Sequence, residues 1–156
     1  RNANVHGKGE INMEDLIKTS LRMRPDRIII GEVRGSECAE MLQAMNTGHA
    51  GMSTGHANSV EGMLRRLEAM YLKKAAFPIE AIREQIAQGI DIIIHLGRIA
   101  GRGRKVLEIA EIQGLRDNKF IINSIFNYEF DRGLTATGNE LMNREKLKFA
   151  GGEIWN

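Results

Sequence analysis

Ile28, Ile29 and Ile30 stand in a row between Arg27 and Gly31. Three consecutive β-branched side chains disfavour a helix, and because strand residues point alternately to opposite faces, an unbroken apolar run predicts a strand covered on both faces. Such strands belong to parallel sheets, whose crossovers are helices. Helical periodicity does flank the run. Ahead of it, Met13, Leu16, Ile17, Ser20 and Leu21 recur at helical spacing behind Asn12, a good N-cap, with Glu14 and Asp15 in the first turn and Pro25 closing the segment. Behind it, Ser36 is placed to cap a helix whose stripe is Cys38, Met41, Leu42 and Met45, ending near Gly48. The predicted fold class is α/β.

The rest of the chain extends this pattern and then changes it. Residues 51–55 lie between two helical patterns and read as a second strand. Ser59 can cap a helix with Met63, Leu64, Leu67, Met70 and Tyr71 on one face, and Pro78 opens another carrying Ile79, Ile82, Ile86 and Ile90. From Asp91 the chain turns to strands: 92–96, a Gly- and Arg-rich turn at 97–104, 106–112 with alternating character, the turn Arg116-Asp117-Asn118, and 119–126. A glycine-marked tail from Asp131 holds one short helical pattern at 140–149. The expected organisation is one domain over residues 1–130 with a tail at 131–156, and no internal repeat.

Composition narrows the function classes. With 156 residues, 42% hydrophobic and 27% charged, the chain can build one ordinary core. No apolar run approaches the roughly 18 residues that cross a bilayer. Cys38 is the single cysteine, which excludes an intramolecular disulfide and a cysteine-based zinc site within the chain. A net charge of +2, a pI near 8.8 and only 5% aromatic residues argue against a stacking platform for nucleic acid as partner. The first residue is Arg1 and a glycine-bearing segment follows, so the chain is expected to be a piece of a longer polypeptide.

Chemistry concentrates at the ends of the two expected parallel strands. Glu32 leaves the isoleucine run just after Gly31, where open α/β sheets bind ligands; a carboxylate held there can orient Mg²⁺ or its water against phosphate oxygens. Taken alone, the run more readily describes a core strand followed by a surface glutamate. Two loop histidines strengthen the functional reading: His49 in Thr47-Gly48-His49 and His56 in Thr54-Gly55-His56-Ala57-Asn58-Ser59. An imidazole can donate to a terminal phosphate oxygen and report its presence. Two polar loop histidines with no such role are the plain alternative. His95, inside an apolar strand, is expected to be a core or edge residue, and His6 a surface one.

Several ordered segments together are more specific. Residues 7–11 (Gly-Lys-Gly-Glu-Ile), 21–27 (Leu-Arg-Met-Arg-Pro-Asp-Arg), 31–35 (Gly-Glu-Val-Arg-Gly) and 41–49 (Met-Leu-Gln-Ala-Met-Asn-Thr-Gly-His) resemble the type II/type IV secretion ATPase family. The similarity continues through 56–59, 66–68, 81–87 and, more loosely, Thr137-Gly138, with the CpaF-like branch of tight-adherence pilus assembly the nearest likeness. The resemblance implies the C-terminal portion of a RecA-like P-loop ATPase, in which Gly31, Glu32, Val33 and Arg34 match the Walker B element and His49 to His56 the histidine box. It further implies ATP and Mg²⁺ as cofactors and a homo-hexameric ring in the cytoplasm, docked peripherally on inner-membrane platform proteins. Glu32, Arg34 and His56 become the candidate catalytic residues, Gly31, Glu32, His49 and His56 the candidate nucleotide-binding ones, and Glu32 the candidate Mg²⁺ ligand, directly or through water.

The departures shape the expectation. No Gly-x-x-x-x-Gly-Lys followed by Ser or Thr occurs, and Gly7-Lys8 has Asn2 where the first glycine of a phosphate loop should stand. The family's acidic box would lie upstream of Arg1, so this chain alone is expected not to hydrolyse ATP, and a sheet lacking its central strand is expected to self-associate. Gly55 stands where relatives carry a bulkier residue. Among the arginines, Arg34 is the candidate for stabilising phosphoryl charge, whereas Arg22, Arg24, Arg27, Arg65 and Arg66, like the basic turn Arg98, Arg102, Arg104 and Lys105, are expected on solvated or interface faces. Two other readings remain: a binding module without nucleotide chemistry, and a DNA-transporting conjugation motor of the same superfamily.

Overall fold

The computed structural model describes residues 10–74 and 76–143. Helix α1, Met13–Leu21, starts at Asn12, whose side chain accepts the Asp15 N–H at 2.9 Å while Asp15 accepts the Asn12 N–H at 3.3 Å. This reciprocal cap satisfies two amides that a helix start leaves free. Strand β1, Arg27–Ile30, follows, then α2, Glu37–Asn46, β2, Ala50–Ser53, α3, Val60–Leu72, and α4, Ile79–Gly89. β1 and β2 pair in parallel, Arg27 opposite Ala50 and Ile30 opposite Ser53, with α2 as the crossover.

One face of this pair builds the core. Ile28 and Ile30 point inward and pack in a cluster with Cys38, Met41 and Leu42 of α2, Leu64 and Leu67 of α3, and Ile82 and Ile86 of α4. The opposite face departs from expectation: Ile29 is 69% exposed and Met52, its neighbour across the register, 58%. An apolar run records what a strand can bury, and among the described residues every helix lies on the Ile28 and Ile30 side. Ser36 also departs. Its backbone is helical rather than extended (φ −63°, ψ −19°), so its hydroxyl makes no capping bond to α2. Ser59 does cap α3, accepting the Gly62 N–H at 3.0 Å.

An antiparallel sheet completes the described chain: β3, Ile92–Ile99, β4, Gly103–Arg116, β5, Lys119–Glu129, and β6, Gly133–Ala136, in that order. The hairpin predicted after Asp91 is there, with longer strands than the sequence pattern indicates. Asp117 and Asn118 take left-handed backbones (φ 50° and 58°), the geometry of a two-residue hairpin turn. Ala110 and Ile112 of β4 join the helical core, and the Ile112 N–H donates to Asp91 O at 2.9 Å. His95 is half-buried on β3, opposite Glu108. β6 was not legible in the glycine-marked tail. Beyond it, the Met142 and Asn143 amides donate to Glu111, a fully buried carboxylate of β4. Residues 140–143 are not helical, and the remainder of the helix expected at 140–149 lies outside the described residues, as do Gly7-Lys8 and His6. Among the described residues no helix is long and apolar enough to cross a membrane.

Candidate functional site

Parallel pairing brings the segments that follow β1 and β2 to the same end of the sheet. Their ladder continues one step past the strands: the Val33 N–H donates to Thr54 O at 2.9 Å, and Thr54 Oγ1 donates to Gly31 O at 2.5 Å. Val33 is buried and anchors the loop, so its neighbours Glu32 and Arg34 are turned the other way. Glu32 Oε2 accepts from Arg34 Nη2 at 2.5 Å, and His56 Nε2 lies 2.9 Å from Glu32 Oε1. Three of the candidate residues thus meet around one carboxylate, with the Arg34 and His56 side chains 75% and 80% exposed and that of Glu32 21%.

The electrostatics favour an ionised Glu32. The Arg34 guanidinium holds its carboxyl below the usual carboxylate range against the opposing pull of burial, with the charges of Arg34, His56 and Arg66 adding to the effect; Arg34 is stabilised as a cation in return. Glu32 Oε1 is buried and has no aligned hydrogen bond, since the His56 contact has the distance of an ion pair without the geometry of a bond. A ligand reaches this oxygen only when the exposed His56 side chain beside it turns aside. Mg²⁺ keeps several waters and needs one or two carboxylates alongside phosphate oxygens, so a single carboxylate such as Glu32 fits it. A dedicated cage is a different matter: among the described residues no cluster of three or more His, Cys, Asp or Glu could hold a metal.

His49 is elsewhere. It precedes β2 and therefore lies at the opposite end of that strand from His56, with the four strand residues, about 13 Å at roughly 3.3 Å each, between them. Its Nδ1 is 3.2 Å from Ala44 O and 3.4 Å from Thr47 Oγ1, at the carboxyl end of α2. Arg27 opens β1 at that same far end, and Arg22 and Arg24, in the exposed segment leading into it, are likewise remote from Glu32. Arg65 pairs with Glu61 one turn away in α3. Arg66 is exposed, as its sequence context suggests, and its charge adds the smallest of the contributions that lower the Glu32 carboxyl. Gly55 is explained by packing: a Cβ there would stand 2.5 Å from Met63 Cε, so the Met63 side chain fills the volume a bulkier residue would take.

The family model described as type II/IV secretion system protein matches residues 1–125. The chain belongs to this family. A Mycobacterium tuberculosis relative that carries a conjugal-transfer name is 39% identical over 137 residues, covering 86% of this chain and 38% of that protein. The conjugal transfer protein TrbB of Rhizobium radiobacter is 37% identical over 117 residues, 74% of this chain and 35% of its own. The chain thus spans little more than a third of the length of these relatives. Among solved structures, the VirB11 ATPase of the Brucella suis type IV secretion system, in complex with sulphate, superposes with a TM-score of 0.62 at 29% identity, covering 65% of this chain and 32% of that one. The fold is accordingly of the RecA-like P-loop NTPase type, with the parallel β1–β2 pair and the antiparallel sheet as parts of it.

Proposed function

We propose that this segment forms one wall of the ATP site of a ring-forming secretion-motor ATPase. The observation that carries the proposal is the convergence of Glu32, Arg34 and His56 at the carboxyl end of a parallel strand pair, in the order in which the family places its Walker B element and histidine box. Glu32 is the residue that would hold Mg²⁺ or its water, through its carboxylate; when bound, the ion would supply neutralisation of phosphate charge. Arg34 is exposed and can exchange its carboxylate partner for a phosphate oxygen. His56 Nε2, when protonated, can donate to the terminal phosphate and release it on departure. Gly31, with open space around its Cα, lets a ligand approach the backbone. His49, bonded to α2, sets where β2 begins and does not reach the phosphates in this reading. The phosphate loop and a general base come from upstream sequence.

The likeness of the matched segments supports a hexameric ring, cytoplasmic and docked on inner-membrane platform proteins, with pilus assembly of the CpaF-like kind as the cargo task. Conjugal-transfer names among the relatives favour a second reading of cargo, a DNA-transporting motor with the same chemistry. DNA binding that weakens steeply with salt would select it. The central test uses the polypeptide extended upstream through a phosphate loop. Glu32→Gln is expected to lower ATP turnover on the order of 100-fold while nucleotide binding persists. Equal turnover in the two proteins would overturn the assignment.

A further inference from the structure

The loop from Glu32 to α2 has no regular secondary structure, yet its backbone is held. Thr54 bonds Gly31 and Val33, and the Cys38 and Ala39 amides of α2 donate to Gly35 O and Ser36 O. Glu37, the first residue of α2, adds a side-chain hold: its Oε1 accepts the N–H groups of Arg34 at 2.6 Å and Gly35 at 3.0 Å. Glu37 reaches back three residues, as Asp15 does to Asn12 at the start of α1, and gathers a second amide, that of Gly35, on the same oxygen. Gly35 makes that approach possible, because a Cβ there would come within 3.0 Å of Glu37 Oε2. Burial opposes ionisation of Glu37, but the backbone donors outweigh it and keep the carboxyl below its ordinary range.

We infer that Glu37 is a positioning residue: by pinning the backbone at Arg34 and Gly35 it aims the Arg34 guanidinium at Glu32, and through it at the phosphates of the proposed site. The geometric part stands on this chain alone; the consequence for turnover rests on the proposed function. Without the Glu37 oxygen, two amides lose their acceptor, and Arg34, 75% exposed, has no other contact that fixes its direction than Glu32 itself.

The test reads the loop backbone directly, by amide hydrogen exchange without nucleotide. In Glu37→Ala the Arg34 and Gly35 amides lose their acceptor and are expected to exchange roughly 10-fold faster. Glu37→Gln, whose amide oxygen can accept both N–H groups, restores most of the protection and keeps the test open should Glu37→Ala fold poorly. In the extended polypeptide, Glu37→Ala lowers kcat on the order of 10- to 100-fold with KM for ATP nearly unchanged, the scale expected of a small misplacement. It adds little in the Arg34→Ala background, the signature of two residues acting as one unit. Exchange at Arg34 and Gly35 unmoved by Glu37→Ala, or an equal further loss of kcat in the Arg34→Ala background, overturns the inference. Failure of Glu32→Gln to alter turnover instead removes the proposed function and leaves the exchange result standing.

Discussion

Glu111 offers the most direct physical test of how the end of the described chain is held. Its side chain is fully buried, and its two oxygens accept the Asn143 N–H at 2.7 Å, the Met142 N–H at 3.1 Å, and amide donors of Gln113 and Asn123 at 3.0 and 3.1 Å. Burial alone would push its carboxyl up; the donors of Asn143, Gln113, Asn123 and Met142 outweigh burial and hold it below the ordinary value. Every nearby bond is a donor to Glu111, so a neutral residue cannot replace it without loss. In Glu111→Ala the backbone amides of Met142 and Asn143 are left without an acceptor at about 1–3 kcal/mol each, while the side-chain amides can turn to water, so about 3 kcal/mol is expected. For a chain of this size that lowers Tm by about 6–12 °C. Glu111→Gln keeps the shape but points an NH₂ group at donors, and about half that effect is expected.

The sign with pH follows from the depressed carboxyl. The contribution of Glu111 is complete above the unfolded carboxyl value, about 4.3, and fades as pH falls through its lower folded value. The Tm of the wild-type chain should therefore fall more steeply with acid than that of the Gln variant: the difference in Tm between them narrows below about pH 4. Amide hydrogen exchange localises the effect, with Met142 and Asn143 accelerated in both variants through local opening, beyond any acceleration the α3 and α4 cores show from the lower global stability. A Glu111→Gln chain with wild-type Tm at pH 7 and unaltered exchange at Met142 and Asn143 would refute the idea that this carboxylate holds the tail.

Two further outcomes are expected. Gly55→Ala must displace the Met63 methyl group, and because the clash is with the flexible end of a thioether the loss stays near 1 kcal/mol; a drop in Tm of more than about 5 °C would show that the loop backbone, not Met63, sets the space. Ile29→Glu and Met52→Glu, on the uncovered face of the β1–β2 pair, should shift sedimentation of this chain toward the monomer without altering Tm by more than about 2 °C, since neither side chain packs in the core.

What the sequence disclosed, and what it withheld, divides along the range of the interactions. The isoleucine run and the periodic stripes of α2, α3 and α4 depend on neighbours three or four residues away, and they read correctly. The exposure of Ile29 depends on which layers the chain itself supplies, which no run of residues states. Glu111 sits among alternating strand residues and reads as a solvent-facing acid, yet its burial is set by amides 31 and 32 positions later. Glu37 was hidden for a related reason: an acid at a helix start has a ready local explanation, and only the loop's folded path shows the bond going backward. The histidines make the sharpest case. The family resemblance places both in a single box, but a four-residue strand lies between them, and two residues that flank a strand must stand at its opposite ends. Register then decides which one meets Glu32: with Ile30 opposite Ser53, the residues after β1 can reach only those after β2. His56 is therefore the histidine beside Glu32, and the placement of His49 at the far end of the strand follows from strand geometry as soon as β2 is placed.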